Sequence, residues 1–400
     1  MPRILDNWIK NYLQLTNNSE PPLLFRKWVS VSVIASCLQR KCFLPWGSLT
    51  FFPNLYVVLV APSGAARKGT AMGPGMDFLT EPGLNIRLAA EAITREALIR
   101  ELKNASDNAI DQDTGQMMFH SSLSIFSQEL TVFLGYNNMQ LMSDLTDWYD
   151  CRKKWTYRTK WSGSDEIEGV WVNLIGATTP KLIQSSMPVD AIGLGLTSRM
   201  IFVYEEKKDK IIPDPFISRA ELELKTKLIT DLTRISQLQG PFKATSGFVS
   251  LWTEWYLAQE GRPPFQDDRF SGYFERRPTH VMKLSMILNA ARTNSMTISE
   301  GDLQSAISLL EATEKKMPLT FSGFGKSAQS EVLSLCMAEI GNTKETSFET
   351  LMYRFRNDTT KWELEKVLDT LISMKFCTYV TNTGKIIYND KFSKDSSHLL

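Results

Sequence analysis

The chain has 400 residues, 43% of them hydrophobic and 22% charged, with a formal net charge of +1. Those proportions exclude wholesale disorder and leave room for two or three domains, and no apolar run reaches the roughly 18–20 residues that a bilayer span needs. The near-zero balance excludes a global basic field, so any contact with nucleic acid has to rest on local charge.

The amino-terminal stretch MPRILDNWIKNYLQL has neither a long apolar core nor a small-residue cleavage site, which argues against a signal peptide and for a cytoplasmic address. Ile4, Trp8, Ile9 and Tyr12 recur at helical spacing, and a second apolar stretch runs from Leu23 to Leu38, so residues 1–48 read as an amino-terminal helical region. NLYVVLV (54–60) is a short, continuous, β-branched run of the kind that a strand buried on both faces requires. A helix is expected over residues 90–105. Further buried strands are expected at SLSIFS (122–127), VWVNLIGATT (170–179) and RMIFVYE (199–205). Strand and crossover alternate through residues 49–212, which predicts an α/β layer with a mostly parallel sheet. Residues 213–322 carry four helical patterns and read as a helical subdomain. TFSGFGKS (320–327) breaks the pattern. In residues 323–400 three helices precede a hairpin that turns at Asn382-Thr383-Gly384, the order expected of a winged helix.

The five cysteines (Cys37, Cys42, Cys151, Cys336 and Cys377) are scattered and form no CxxC pair, and the three histidines lie far apart in sequence. Zinc ligation and a disulfide framework are both poorly supported.

The loop Ala61-Pro-Ser-Gly-Ala-Ala-Arg-Lys-Gly-Thr70 follows the first buried strand. A phosphate site needs small residues that let backbone N–H groups approach the anion, a lysine to neutralise it and a hydroxyl for Mg²⁺. Ser63, Gly64, Ala65, Ala66, Arg67, Lys68, Gly69 and Thr70 supply those parts, with the loop one residue longer than G-x-x-x-x-G-K-[ST] and with Ala61 in place of the first glycine. Strict spacing gives the lysine slot to Arg67. Lys68 is favoured because an ammonium is compact and its donors rotate freely. Glu129 follows the second strand, where a carboxylate can hold Mg²⁺ or orient water, although Gln128 stands where a second acid is expected. Asn173, Thr178 and Thr179 are read at the end of the third strand, and Thr178 is placed to sense a phosphate. Arg199 and Arg277 are candidate guanidinium contacts to the nucleotide, Arg199 from a neighbouring subunit. His280 reads as structural. The segment 147–163 interleaves Arg152, Lys153, Lys154, Arg158 and Lys160 with Trp155, Tyr157 and Trp161, the mixture of cations and rings that a single-strand groove combines, although a solvated strand pair with cross-strand aromatics explains the same letters.

PPLLFRKW, FFPNLYVVLVAPSGAARKGTAM, FSQELTVFLG, LTDWYDCRKKWTYRTK, NLIGATTP and GLGLTSRMIFVYEE together resemble a family of phage and prophage proteins with a primase–helicase-type P-loop ATPase domain. The similarity covers about residues 20–325. It implies a RecA/AAA+-like core that acts in DNA replication as a homo-oligomeric ring such as a hexamer, in the bacterial host cytoplasm if phage-encoded. By that resemblance Lys68 and Thr70 are Walker A residues, Glu129 is Walker B and Arg199 an arginine finger. The cofactors implied are ATP and Mg²⁺, the partner single-stranded or forked DNA, and the activity ATP-driven unwinding or translocation. Gln128 departs from the expected acidic pair. Two rival readings remain: a nucleotide-dependent switch or loader that does not unwind DNA, and a winged-helix DNA-binding protein whose α/β core is catalytically dead.

Overall fold

The computed structural model describes residues 2–110, 115, 117–135, 138–159, 163–186, 195–321, 328–356 and 359–389. The chain divides into two compact units, Met1–Ser322 and Gly323–Leu400.

The larger unit is built on a five-stranded sheet in the order Ser106–Ile110, Met117–Ser127, Val170–Thr178, Tyr56–Val60, Met200–Tyr204. Neighbours pair in parallel except the edge strand Ser106–Ile110, which runs antiparallel to Met117–Ser127. Every residue of Tyr56–Val60, Val170–Thr178 and Met200–Tyr204 is buried, which is why these strands read as unbroken apolar runs rather than alternating ones. The edge strand, with sequence SDNAI, is mostly exposed and polar and leaves no such signature.

Helices cover the sheet on both sides, and the register shows how. Asn173 turns its side chain to the helix Leu23–Leu38, donating to Ser32 O at 3.2 Å and Ser36 Oγ at 3.1 Å, while its Oδ1 accepts from Leu55 N at 2.9 Å. The next residue, Leu174, is level with Tyr56, whose hydroxyl donates to Leu145 O of the helix Met139–Tyr149 at 2.8 Å. Successive strand residues face opposite sides, so the two helices sandwich the sheet. Leu23–Leu38 is buried almost all round because it packs on the sheet with one face and on the helices Arg219–Ser236 and Ser271–Arg292 with others. Trp28 Nε1 donates to Thr313 Oγ1 at 2.9 Å and ties that helix to Glu300–Glu314. The expected helix over 90–105 runs from Arg95 to Asn104, because Thr94 accepts from Ala97 N and fixes the start.

The smaller unit contains the helices Ala328–Thr343, Phe348–Arg354 and Lys361–Ser373 and a three-stranded antiparallel sheet with Lys385–Tyr388 between Glu345–Ser347 and Cys377–Val380. Cys336, Ile340, Leu351, Leu364, Leu371 and Ile386 make its core. Thr360 and Glu363 form a capping box that starts its third helix. The short strand Glu345–Ser347 is an addition to the elements expected from sequence. All five cysteines are free and buried. Among the described residues no helix is long and apolar enough to cross a membrane, and no group of three or more His, Cys, Asp and Glu side chains is arranged to hold a metal ion.

Candidate nucleotide site

Tyr56–Val60 lies between Val170–Thr178 and Met200–Tyr204, so its carboxyl end opens between two parallel neighbours. The chain leaves it towards one side of the sheet and later reaches Met200–Tyr204 on the other, which makes this position a topological switch point, where open α/β sheets form a crevice for ligands. The loop 61–67 fills that mouth and leads into the helix Lys68–Leu79. Gly64 has φ +69, a left-handed conformation that glycine adopts without a Cβ clash. Arg67 occupies the helix N-cap, also left-handed at φ 52 and ψ 46, without a side-chain cap, and no acid stands in the first turn. The amino-terminal N–H groups and the positive end of the helix dipole are therefore presented without a side-chain competitor.

Arg67 and Lys68 point to different partners. The Arg67 guanidinium pairs with Glu20 at 2.8 Å, and Lys208 pairs with the same carboxylate. The Lys208 hydrogen bond first, and then that from Arg67, hold Glu20 down to about 2. Lys208 N also donates to Ala65 O at 3.0 Å, which fastens the loop to the segment after the last strand. Lys68 instead folds back over the loop and donates to Ala61 O at 2.9 Å and Pro62 O at 3.4 Å. Burial lowers its pKa from the ordinary lysine value, and the nearby Glu129 charge opposes that shift.

Gln128 and Glu129 follow the strand Met117–Ser127 and are exposed. A Cβ on Gly69 would lie 3.0 Å from Gln128 Oε1, so the lack of a side chain at Gly69 lets the helix start against this segment. Glu129 is the N-cap of Leu130–Leu134 through its backbone alone; its carboxylate makes no capping hydrogen bond. Thr178 is level with Val60, and Ala61 N donates to its carbonyl at 3.4 Å. Thr178 is 1% exposed and its Oγ1 has no hydrogen-bond partner. An orphaned buried hydroxyl is costly unless a water or ligand satisfies it. Ser63 and Gly64 are exposed, Ala65 is half-buried and Ala66 is buried against the core. Thr70 faces a cavity of about 240 Å³, bordered by Asn18 and Ser19, by Ala71 and Pro74 of the same helix, and by Phe216.

Four expectations need correction. Arg199 is not free to act as a finger: it is 7% exposed and makes a two-pronged ion pair with Asp150, at 3.3 and 2.7 Å. It also stands at the amino end of its strand, level with Leu55, roughly 16 Å along the strand from the loop. Arg277 is 6% exposed and grips Glu314 at 2.6 and 2.9 Å, while its Nη1 reaches Gln259, so its guanidinium is engaged and not free to meet a nucleotide. Asn173 is a mid-strand crosslink rather than a strand tip. The rings of the basic segment are internal packing: Trp155 meets the buried Trp148 at 5.4 Å and stacks on Tyr157 at 6.2 Å, and Arg95 covers Tyr157 at 4.8 Å.

The rest of that segment is Lys154–Thr159, paired antiparallel with Gly163–Glu168. Arg152, Lys153, Lys154 and Arg158 are exposed. Arg152 pairs with Asp147 at 3.1 Å and Lys154 with Glu166 at 2.7 Å. Lys160 and Trp161 lie outside the described residues. His280 packs flat on Tyr273 and shares a hydrogen bond with Tyr149 at 3.1 Å; burial first, and then Lys283 and Arg276, push its pKa down to about 3. The Glu20–Arg67–Lys208 clamp and the buried Lys283 beside Asn54 carry no sequence signal, since their partners are remote in the chain.

No protein-family model matches the chain, and no curated protein matches it in sequence. The fold and the site define an α/β protein with a mostly parallel sheet and a small-residue strand–loop–helix cradle at its switch point.

Proposed function

We propose that the larger unit is a P-loop ATPase core of RecA/AAA+ type, which binds ATP on the loop 61–70 and uses its turnover on DNA. The observation that carries this reading is the posture of Lys68: a half-buried ammonium folded onto the carbonyls of its own loop, at the switch point, beside the uncapped carboxylate of Glu129. Bound phosphates would replace those carbonyls as its partner, with the helix N–H groups as further donors. The cradle's small residues, the orphaned Thr178 hydroxyl and the absence of acids from the helix start all suit an anion.

A Mg²⁺ ion held by Thr70 and Glu129 would supply charge neutralisation on the phosphates. Glu129 orients the attacking water, Lys68 and the helix N-terminus hold the charge that develops on the transferred group, and Thr178 marks the γ-phosphate position. The cavity beside Thr70 offers apolar walls and a polar rim for the nucleobase. In the smaller unit the order of helix, strand, two helices and hairpin supports a winged helix. The exposed side of its third helix mixes Trp362, Glu365, Lys366 and Asp369, which suits partner recruitment as well as duplex contact.

The leading reading is an ATP-driven helicase or translocase that works as a homo-oligomeric ring. A second reading, the nucleotide-dependent switch or loader, gains from two observations: Gln128 stands in place of an acid, and Arg199 is locked on Asp150. The test is ATP hydrolysis by the wild type and Lys68→Ala, with and without single-stranded DNA, followed by strand displacement on a forked duplex. DNA-stimulated turnover that is lost in the variant, together with displacement, supports the motor. Turnover without displacement selects the switch, and no turnover in the wild type rejects the ATPase.

A further inference from the structure

At the opposite end of the strands from the nucleotide loop, a groove of about 420 Å³ runs past the amino ends of the parallel strands. Arg40, Lys41, Lys153 and Lys154 line it, against the single carboxylate of Glu168. Arg40 donates to Cys151 O and Val170 O, and Lys41 to Ser236 O. Those acceptors are neutral carbonyls, so neither cation is paired with a carboxylate there. Lys154 pairs with Glu166, and Lys153 has no ion-pair partner among the described residues. Even with Glu166 counted, the groove holds four cations and two carboxylates.

The walls are aromatic as well as basic. Phe119 is 53% exposed on the strand next to the edge and lines the same groove as Phe43 and Phe52. The Arg40 guanidinium sits over Phe52, its Cζ 4.2 Å from the ring centroid. Excess positive charge and an open aromatic platform in one trough are what a flexible polyanion with flat bases requires.

We propose that this groove is a single-stranded nucleic-acid site, with the phosphodiester backbone along Lys41, Lys153 and Lys154 and a base stacked on Phe119. The inference rests on the nucleic-acid part of the proposed function. It moves the aromatic role from Trp155 and Tyr157, which pack internally, to Phe119.

The test is fluorescence anisotropy of a labelled oligo-dT with the full chain across a salt series, for the wild type, Phe119→Ala, Lys153→Ala and Lys68→Ala. Phe119→Ala is expected to weaken binding roughly tenfold, because stacking is lost. Lys153→Ala is expected to flatten the slope of log affinity against log salt by about 0.7, one phosphate contact on a single strand. Lys68→Ala should bind the strand like the wild type. Both groove side chains are exposed, so their variants should melt like the wild type, and the melts confirm that the comparison is between folded proteins. Unchanged binding in both groove variants overturns the proposal, as does a preference for duplex DNA or for an acidic peptide. The outcomes separate the two readings: strand binding through the groove without any ATP turnover refutes the ATPase alone, whereas ATP turnover without strand binding refutes the groove alone.

Discussion

Lys283 offers a sharp test of the physics inside this fold. Its side chain is buried, with Nζ bonded to Asn54 Oδ1 at 2.5 Å and poised 3.9 Å from the centroid of the Tyr149 ring. No carboxylate pairs with it among the described residues, and burial, the largest cause, pushes its pKa down from 10.5 to about 8. A base whose folded pKa lies below its unfolded one costs stability wherever the unfolded chain holds the proton more tightly. The full cost is present below pH 8, shrinks as the pH rises from 8 to 10.5, and is gone above that window. The gap corresponds to roughly 3 kcal/mol. Lys283→Met keeps the length of the stem and removes the charge, and Asn54 Oδ1 retains the Cys151 thiol at 3.3 Å. The assay is urea unfolding at several pH values, followed by tryptophan fluorescence; nine of the ten tryptophans belong to residues 1–322. The wild type should gain roughly 3 kcal/mol on the variant between pH 8 and 10.5, because only the wild type recovers the cost of the buried cation. Taking the difference between the two proteins cancels the titrations of groups remote from Lys283. A wild-type-minus-variant difference that stays level across that window would refute the assignment of a buried, unpaired ammonium.

The other expectations are simpler. His120 and His280 are held neutral, at about 4 and about 3, chiefly by burial. Their contribution is complete above pH 6.5 and is lost as the pH falls towards those values, by roughly 2–3 kcal/mol each at pH 4.5; His280→Gln should blunt acid unfolding measured between pH 7 and 4.5. Arg199→Ala leaves Asp150 only the longer contact to Arg276 at 3.7 Å, and should cost on the order of 2–3 kcal/mol in urea unfolding. Per folded molecule its nucleotide binding should equal that of the wild type, and a selective loss of turnover at full stability would restore the finger. Arg67→Ala should leave binding of a fluorescent ATP analogue within a few-fold, whereas Lys68→Ala should abolish it; the reverse order would hand the phosphate to Arg67.

What the sequence revealed and concealed follows from how the information is carried. Strands buried on both faces announce themselves, so Tyr56–Val60, Val170–Thr178 and Met200–Tyr204 lie where the apolar runs predict. The strand Ser106–Ile110 is an exposed edge, and its polar letters look like loop. The loop 61–70 was legible because small residues after a buried strand are a local pattern. Charged side chains were not, since a guanidinium shows its type in the sequence but not its partner. Arg199 finds Asp150 and Arg277 finds Glu314. Glu20, which holds both Arg67 and Lys208, sits 188 residues before the latter.

The two proposed sites occupy opposite ends of one rigid element. The strand Val170–Thr178 offers its carbonyl to Arg40 at the groove end and to Ala61 N at the loop end. Its nine residues span roughly 27 Å at the usual strand rise. A strand hydrogen-bonded on both sides and buried throughout does not stretch, so ATP-dependent change in strand affinity cannot travel as a local strain along it. Any coupling has to shift a packed element as a body, and the helix Leu23–Leu38 is such a piece, since it leads into Arg40 and Lys41 and packs on Lys68–Leu79. Tenfold coupling between ATP and oligo-dT would need only about 1.4 kcal/mol of difference between two such arrangements. Coupling that vanished when Gly75, whose Cβ would meet Val29 Cγ1 at 2.4 Å, was replaced by alanine would place the moving part at the contact between those two helices. Coupling that survived the change would exclude that contact.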